Sequence, residues 1–437
     1  MNLKLYKKGI YIIITSILLI SLAGCSMNGS FDSSIEEQAK KFDFEQASEV
    51  ISAASGHEFN EAFLKSLGED LVKQIQTEIL NGTYTEKTWH DVTGSSFNVM
   101  KDMVDRKLTA ENITNKGDNG GENFSVAFVG DILLDTNFAP MAHASKKGGV
   151  LNCIDTELTK YLNSCDVFLI NNEFSIGERG ERINGKTWTF QVAPERIQIM
   201  KDLGADIVSL ANNHVYDFGE IGFLDTLEHL KKAGMPYVGA GKNLEKASEG
   251  HYFIINGYKI GIVAASRAEK KYFTPVAEPN RAGIMGTYDS TDFVEAIRKA
   301  DAQCDYLVVY VHWGTENSTK LEAAQKTMAR EYIDAGADAV IGGHTHCLQG
   351  MEYYKNAPIV YSVGNFWFNS KSLDSCVVTL NFDRKLNMQV HYMPLAQKGC
   401  ETRILKTAEE RRALFDRVES YEPQGVKISD NGVVSPS

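Results

Sequence analysis

From Ser125 onward the chain alternates short apolar runs with amphipathic stretches, and this alternation limits the fold more than any other feature of the sequence. The apolar runs have the length of buried strands, and the stretches between them repeat apolar residues at helical spacing. Such alternation is typical of an α/β fold in which helices cover the faces of a sheet. The predicted strands are 125–129, 167–170, 207–210, 251–255, 258–264, 306–311, 339–341, 359–363, 377–382 and 388–393.

Short local patterns predict how some of these elements begin and turn. Asn256-Gly257, between two apolar runs, is typical of a two-residue hairpin loop. Asp217 with Glu220 three residues later is typical of a capping box at the start of a helix. Further helices are predicted at about 194–203, 322–335 and 409–418.

Five of the predicted strands end in side chains that can bind a metal ion. These side chains are Asp131, Glu173, Asn213 with His214, His312, and His344 with His346. Because the carboxyl ends of parallel strands meet at one edge of a sheet, we expect these residues to converge. Carboxylates, an amide oxygen and imidazoles suit a divalent ion of the Mn, Fe or Zn type, present as one ion or as a pair.

Each candidate also has an ordinary structural interpretation. Asp131 could serve only as a turn or helix cap, because Asp is common at both. Glu173 could form an ion pair with Arg179 or Arg182. His214 could be a solvated loop residue, although an imidazole can also transfer a proton near neutral pH.

The first 24 residues are predicted to be a secretion signal. Lys4, Lys7 and Lys8 precede an apolar run at 10–22 that is too short to span a membrane. The run ends in Leu-Ala-Gly before Cys25, which resembles a bacterial lipobox. The resemblance implies cleavage before Cys25 and attachment of a lipid to it, and therefore an extracytoplasmic protein anchored to the cell membrane.

Composition divides the rest of the chain into further segments. We expect a polar tether at 25–33, a helical region at 34–110, a Gly/Asn-rich linker at 111–123, the α/β domain at 124–398, and a C-terminal helix with a disordered tail at 399–437. The net charge of −12 and the absence of a long basic run exclude nucleic-acid binding. The cysteines other than Cys25 show no CxxC spacing, so they predict mostly buried thiols rather than a zinc finger or a disulfide framework.

Residues 125 to about 395 resemble the bacterial capsule-synthesis family typified by CapA, the poly-γ-glutamate biosynthesis protein, which is related to the calcineurin-like metallophosphoesterases. The matching stretches are GDILLD (130–135), NNE (171–173), VSLANNHVYDFG (208–219), VGAGKNLEKA (238–247), HWGTE (312–316), DAGADAVIGGHTHCLQG (334–350) and IVYSVGNF (359–366). The resemblance implies a four-layer αββα sandwich of two mixed sheets, to which the chain adds its N-terminal helical region. It also implies a ligand set of Asp131, Glu173, Asn213, His312, His344 and His346, with His214 as general acid.

The sequence departs in one place from the metallophosphoesterase pattern and in another from the pattern of the capsule-synthesis family. The first motif of those enzymes is Asp-x-His, but Asp131 is followed by Ile132 and Leu133, so one imidazole is missing. Family members often carry an arginine soon after a phenylalanine where this chain has Phe190-Gln191, which weakens any anion contact there.

Two functions are compatible with these residues. The first is a metal-dependent hydrolase acting on a phosphate ester or a related bond, either in an anionic polymer or in a phosphorylated small molecule. The second is a non-catalytic accessory protein that assists synthesis or export of an anionic polymer such as poly-γ-glutamate, together with membrane-bound synthase components. In the second case the metal site binds carboxylates or is structural.

The lipobox generates a prediction that can be tested in cells. Cys25→Ser removes the thiol to which the lipid would be attached, so the protein should be released from the membrane or processed incorrectly. Membrane fractionation with immunoblotting measures both outcomes. A Cys25→Ser protein that stays with the membrane at wild-type level and size would contradict lipidation.

Overall fold

The computed structural model describes residues 42–55, 59–83, 90, 93–105, 107–121, 123–269 and 273–437. The predicted signal peptide, Cys25 and the tether lie outside the described residues. The chain divides into two compact units, one ending at Phe97 and the other running from Asn98 to Ser437. Within the described residues, no helix is both long enough and apolar enough to cross a membrane.

The first unit contains helices α1 (Phe44–Ser55), α2 (Glu61–Leu67) and α3 (Glu69–Leu80). Apolar residues at helical spacing bury one side of each helix, for example Leu64 in α2 and Ile75 in α3. Helix α2 begins where the Asn60 side chain accepts a hydrogen bond from the Phe63 N–H at 2.8 Å. These helices agree with the helical texture predicted for this region.

Two mixed sheets form the body of the second unit. The first sheet has the order β1 (Ile113–Gly117), β9 (His251–Ile255), β10 (Tyr258–Ser266), β12 (Tyr306–His312), β13 (Ala339–Gly343), β15 (Ala357–Val360) and β14 (Met351–Tyr354). The second has the order β19 (Glu401–Ile404), β18 (Met388–Lys398), β17 (Leu373–Phe382), β2 (Phe124–Ile132), β3 (Val167–Asn172), β6 (Ile207–Ser209) and β7 (Tyr237–Val238), and β16 (Asn365–Trp367) pairs with β2. The short pairs are β4 (Ser175–Ile176) with β5 (Gln191–Val192), β8 (Ala240–Gly241) with β11 (Gly283–Ile284), and β20 (Val426–Ile428) with β21 (Val434–Pro436).

Helices pack around both sheets. They are α4 (Phe97–Val104), α5 (Ala139–Lys147), α6 (Thr156–Ser164), α7 (Ile197–Asp202), α8 (Gly219–Ala233), α9 (Leu244–Ala247), α10 (Thr291–Asp301), α11 (Ala323–Asp334) and α12 (Ala408–Ser420). Helices α5 to α8 share an apolar core with one face of the second sheet, and α10 and α11 share another with one face of the first. A third core joins the two sheets, so the layer order is αββα, as the resemblance implies.

Strand β2 shows why the sequence gives this architecture. Val126 and Phe128 point into the core between the sheets, whereas Ala127 and Val129 point into the outer core beneath the helices. A strand buried on both faces is a continuous apolar run rather than an alternating one. The Asn256-Gly257 hairpin is confirmed, with positive φ at both residues and antiparallel pairing of β9 with β10.

Two segment predictions are wrong. The predicted linker contains β1, which pairs in parallel with β9. Because backbone hydrogen bonds hold this strand, its sequence does not need the apolar pattern by which the other strands were predicted. The helix predicted within 399–437 is present as α12, but β19 precedes it and the β20–β21 hairpin replaces the predicted disordered tail. Val426, Ile428 and Val434 of that hairpin are buried in the core between the sheets, so the tail belongs to the fold.

Helix α4 also belongs largely to the second unit, contrary to the predicted boundary at 110. Asp102 on α4 forms an ion pair with Lys259 on β10, and both side chains are buried. The Lys259 ammonium lies 4.5 Å from the centre of the Tyr252 ring. The pair therefore fixes α4 to the first sheet through two desolvated charges.

Asp102→Ala should destabilise the fold strongly, because it leaves the Lys259 ammonium buried without its carboxylate. Breaking a buried pair in this way costs about 3–5 kcal/mol. Urea unfolding measures the change in the free energy of unfolding. Glu295→Ala is the control, because it breaks an exposed pair with Lys299 and should cost about 0.5 kcal/mol or less. Equal effects of the two substitutions would show that the Asp102–Lys259 pair does not hold α4.

Candidate metal centre

The carboxyl ends of strands from both sheets meet at one place. Strands β2, β3 and β6 run parallel in the second sheet, and β12 and β13 run parallel in the first. The residues at or just after these strand ends are Asp131, Glu173, Asn213 with His214, His312, and His344 with His346. The structure thus brings together all the residues that the sequence selected.

The distances define two overlapping groups of ligand atoms. In one group, His312 Nε2 lies 3.5 Å from Glu173 Oε1 and 3.0 Å from His344 Nδ1. In the other, His346 Nδ1 lies 3.1 Å from Asp131 Oδ2. Glu173 belongs to both groups, and within each group the ligand atoms lie within 4.8 Å of one another. Asn213 Oδ1 lies 2.9 Å from His312 Nε2, at the edge of the first group.

Two buried carboxylates favour the binding of a cation at this site. Asp131 and Glu173 are completely buried, and no described residue donates a hydrogen bond to either oxygen of Glu173. A buried carboxylate without a donor is costly unless a cation balances it. The available donors are carboxylate oxygens, an amide oxygen and imidazole nitrogens, which suit a divalent ion of the Mn, Fe or Zn type. The residues present therefore fit such an ion.

The pKa values of the cluster reflect its burial. Burial, reinforced by the nearby Asp131 carboxylate, raises the pKa of Glu173 well above its usual value. Burial lowers the pKa of His312 to about 3 and that of His344 well below its usual value. Both imidazoles are therefore neutral and keep a lone pair for a metal ion.

Asp131 and His346 behave as a pair. Burial alone would raise the pKa of Asp131 and lower that of His346. The contacts that each group makes, first of all the one between Asp131 and His346, together outweigh burial, so the pKa of Asp131 is lowered and that of His346 is raised. An ion bound here would replace a stabilising contact that the protein already makes.

Close backbone packing shapes the site. A Cβ atom at Gly130 would lie 1.6 Å from the carbonyl oxygen of Gly364, so only glycine allows this approach next to Asp131. His344 and His346 both have positive φ, 90° and 56° respectively, which non-glycine residues rarely adopt. Such strained backbone clusters at functional sites.

His214 has surroundings different from those of the other imidazoles. Its Nδ1 lies 2.7 Å from Asp217 Oδ2, and its Nε2 lies 4.0 Å from Glu173 Oε1. The Phe190 ring packs against it with centroids 4.3 Å apart. The imidazole is thus oriented by a carboxylate at one nitrogen and directs the other nitrogen toward the cluster.

Asp217 corrects the predicted capping box. Its carboxylate does not cap α8, whose N-cap residue is Phe218 and makes no side-chain cap hydrogen bond. Tertiary contacts direct that carboxylate to His214 and to the Phe190 N–H instead. The alternative ion pair of Glu173 is also wrong, because Arg179 pairs with Asp225 and Glu173 is buried away from solvent.

Three asparagines of the site were not assigned a role from the sequence. Asn171 donates to Asp131 Oδ1 at 2.7 Å and lies 3.2 Å from His312 Nδ1. Asn365 Oδ1 lies 2.8 Å from His346 Nδ1, and Asn212 Oδ1 accepts from the backbone N–H of His214 at 3.0 Å. Each follows or ends an apolar run, the same pattern that identified the predicted ligands. Outer partners of this kind orient ligands and fix tautomers.

The chain is similar to bacterial proteins of capsule synthesis. The family model described as bacterial capsule synthesis protein PGA_cap matches residues 125–370. The capsule biosynthesis protein CapA of Bacillus anthracis is 26% identical over 301 residues, covering 67% of this chain and 72% of that protein. The PGA biosynthesis protein CapA of Bacillus subtilis is 29% identical over 259 residues, covering 58% of this chain and 66% of that protein.

A further relative matches a smaller part of the chain, and a solved structure aligns at low identity. A probable polyglutamine synthesis accessory protein of Mycobacterium tuberculosis is 31% identical over 209 residues, covering 46% of this chain and 55% of that protein. Among solved structures, a 5'-nucleotidase from Candida albicans aligns with 11% identity and a TM-score of 0.34, covering 62% of this chain and 51% of the nucleotidase. A likeness at that score carries no argument about activity.

His344→Ala should lower the metal content of the purified protein. Losing a ligand should weaken binding by more than the ~10–100-fold that changes in outer partners of ligands typically cost. Elemental analysis after dialysis against a fixed Mn²⁺ concentration measures the bound ion. His229→Ala, on α8 and outside both ligand groups, should keep wild-type content. Unchanged content in His344→Ala would remove His344 from the ligand set.

Proposed function

This chain belongs to the bacterial capsule synthesis protein family, whose model matches residues 125–370, and we propose that it is a metal-dependent hydrolase that acts in the synthesis or export of a capsule polymer of the poly-γ-glutamate type. The bond that it hydrolyses is a phosphate ester or a related linkage. The substrate is the anionic polymer itself or a phosphorylated small molecule that serves its assembly. The observation that carries this proposal is the convergence of two buried carboxylates and three imidazoles, with both Glu173 oxygens lacking donors.

The proposed ligands are the residues whose donor atoms converge. They are Asp131, Glu173, Asn213, His312, His344 and His346. When bound, one or two divalent ions supply Lewis-acid activation of water and of an ester oxygen. The two groups that share Glu173 are compatible with either number of ions.

His214 is proposed to supply the proton that the leaving group needs. Asp217 holds Nδ1 at 2.7 Å, which leaves Nε2 free to carry a proton on the side that faces Glu173. A carboxylate in this position fixes the orientation of the ring and thereby which nitrogen faces the cluster. The Phe190 ring covers one side of the imidazole and limits access of water to it.

We place the protein on the outer side of the cell membrane, held by a lipid on Cys25. The motif before Cys25 and the acidic composition support this, because a net charge of −12 would not by itself bind an anionic membrane surface. Such a position would put the metal centre beside membrane-bound synthase components and the growing polymer.

A non-catalytic accessory role is the second candidate. Leu133 occupies the position of the missing imidazole and is buried in the outer apolar core, so it offers no ligand. The mycobacterial relative is also described as a probable accessory protein of polyglutamine synthesis. Under this candidate the same ligands hold an ion that binds carboxylates of a polymer or stabilises the site.

The metal content of the purified protein and its turnover of phosphomonoesters and phosphodiesters separate the candidates. Bound metal with hydrolysis supports the enzyme. Bound metal without turnover across the panel supports the accessory role. A protein that binds neither Mn²⁺ nor Zn²⁺ would contradict both candidates, because each requires the metal centre.

His214→Ala should reduce turnover without removing the ion. A general acid contributes typically ~10²–10⁴-fold to a rate, and we expect a loss in that range for metal-saturated protein. The rate constant and the metal content are measured on the same preparation. If His214→Ala loses metal as completely as His344→Ala, then His214 is a ligand and its assignment as the acid is wrong.

A further inference from the structure

Lys186 lies in the segment between β4 and β5, and its surroundings are unusual for a lysine. Its neighbours Thr187 and Trp188 are exposed, but its own side chain is only 6% exposed. Lysine is rarely buried unless its charge is paired. The groups around its ammonium must therefore balance its charge.

Three acceptors surround the Lys186 ammonium. It forms an ion pair with Asp217 Oδ1 at 2.8 Å, lies 3.3 Å from Glu269 Oε2, and donates to the carbonyl oxygen of Asn213. The ammonium thus has two hydrogen-bond acceptors, Asn213 and Glu269, and one further carboxylate oxygen as an ion-pair partner. Glu269 follows β10 of the first sheet, whereas Asn213 and Asp217 follow β6 of the second. One buried charge thus joins loops from both sheets.

Two of these acceptors connect Lys186 to the proposed metal centre. One belongs to the proposed ligand Asn213, and the other belongs to Asp217, which orients the proposed acid His214. Asn213 directs its side-chain oxygen to His312 Nε2 at 2.9 Å. Asp217 uses its other oxygen to hold His214 Nδ1 at 2.7 Å. Lys186 therefore contacts the backbone of a proposed ligand and the carboxylate that orients the proposed acid.

The segment that carries Lys186 is itself attached to Asp217. The Ile183 N–H donates to the Asp217 carbonyl oxygen at 2.9 Å, and the Phe190 N–H donates to Asp217 Oδ2 at 2.8 Å. These bonds lie on either side of Lys186 in the sequence. They hold the backbone at the distance from which the lysine side chain reaches Asn213.

We propose that Lys186 is a positioning residue that sets the place of Asn213, and through Asp217 that of His214, at the metal centre. This inference rests on the proposed function and adds to it a residue that binds no ion, because an ammonium has no lone pair. The alternative is that Lys186 only neutralises Asp217 and stabilises the fold. The two differ in whether loss of Lys186 acts on metal affinity through Asn213.

A double-mutant cycle on Mn²⁺ affinity tests this directly. Lys186→Met should raise the Kd for Mn²⁺ by ~10–100-fold, the usual effect of removing an outer partner of a ligand. In an Asn213→Ala background the same substitution should cause little further change, because two residues that act through one contact are not additive. Lys160→Met, which removes an exposed lysine on α6, should bind Mn²⁺ as the wild type does. Calorimetric titration of the full chain gives each Kd.

Each outcome decides the proposal. A wild-type Kd in Lys186→Met overturns it while leaving the metal centre intact. An equal fold-change in both backgrounds overturns it in favour of charge neutralisation alone. If the wild-type protein binds neither Mn²⁺ nor Zn²⁺, the metal centre itself fails and this inference fails with it.

A second variant covers the case in which Lys186→Met does not fold because Asp217 is left buried and unpaired. Lys186→Met combined with Asp217→Asn removes both charges and leaves no uncompensated carboxylate. Its Kd for Mn²⁺ should exceed that of Asp217→Asn alone, which keeps the lysine on the Asn213 carbonyl. Equal Kd values for these two proteins would overturn the proposal.

Discussion

The structure depends on the burial of two carboxylates, Asp131 and Glu173, between two sheets. Moving such charges out of water is costly, and the surrounding groups offset that cost unequally. Asp131 Oδ1 accepts a hydrogen bond from Asn171 and Oδ2 lies 3.1 Å from His346 Nδ1, whereas neither oxygen of Glu173 has a donor among the described residues. A divalent cation bound at these strand ends would offset the cost of burying the Glu173 carboxylate.

The αββα arrangement follows from the same constraint. Only strands from both sheets can bring a carboxylate of β2 to an imidazole of β12, and the core between the sheets holds those strands in place. The backbone approaches closely at Gly130 because a side chain there would collide with Gly364. Lys186 and Asp102–Lys259 show that the unit also uses buried ion pairs to fix loops and helices that the apolar cores do not hold.

The sequence was sufficient to predict those elements that depend on neighbouring residues in the chain. Continuous apolar runs predicted the central strands, and polar residues at their ends predicted the side chains that converge. Strand β1 was missed because an edge strand held by backbone bonds needs no apolar pattern. Asp217 was misassigned because its carboxylate is also held by Lys186 and the Phe190 N–H, which lie far from it in the sequence. Roles that depend on contacts between distant residues could not be predicted.

The central claim is that the buried cluster around Glu173 is a metal centre. Diffraction from crystals soaked in Zn²⁺, recorded at the zinc absorption edge, tests it most directly. The account predicts an anomalous peak at ~2.0–2.2 Å from an oxygen of Glu173 and from at least one imidazole nitrogen of the cluster. Anomalous peaks confined to other parts of the protein, with Glu173 still lacking a partner, would contradict it.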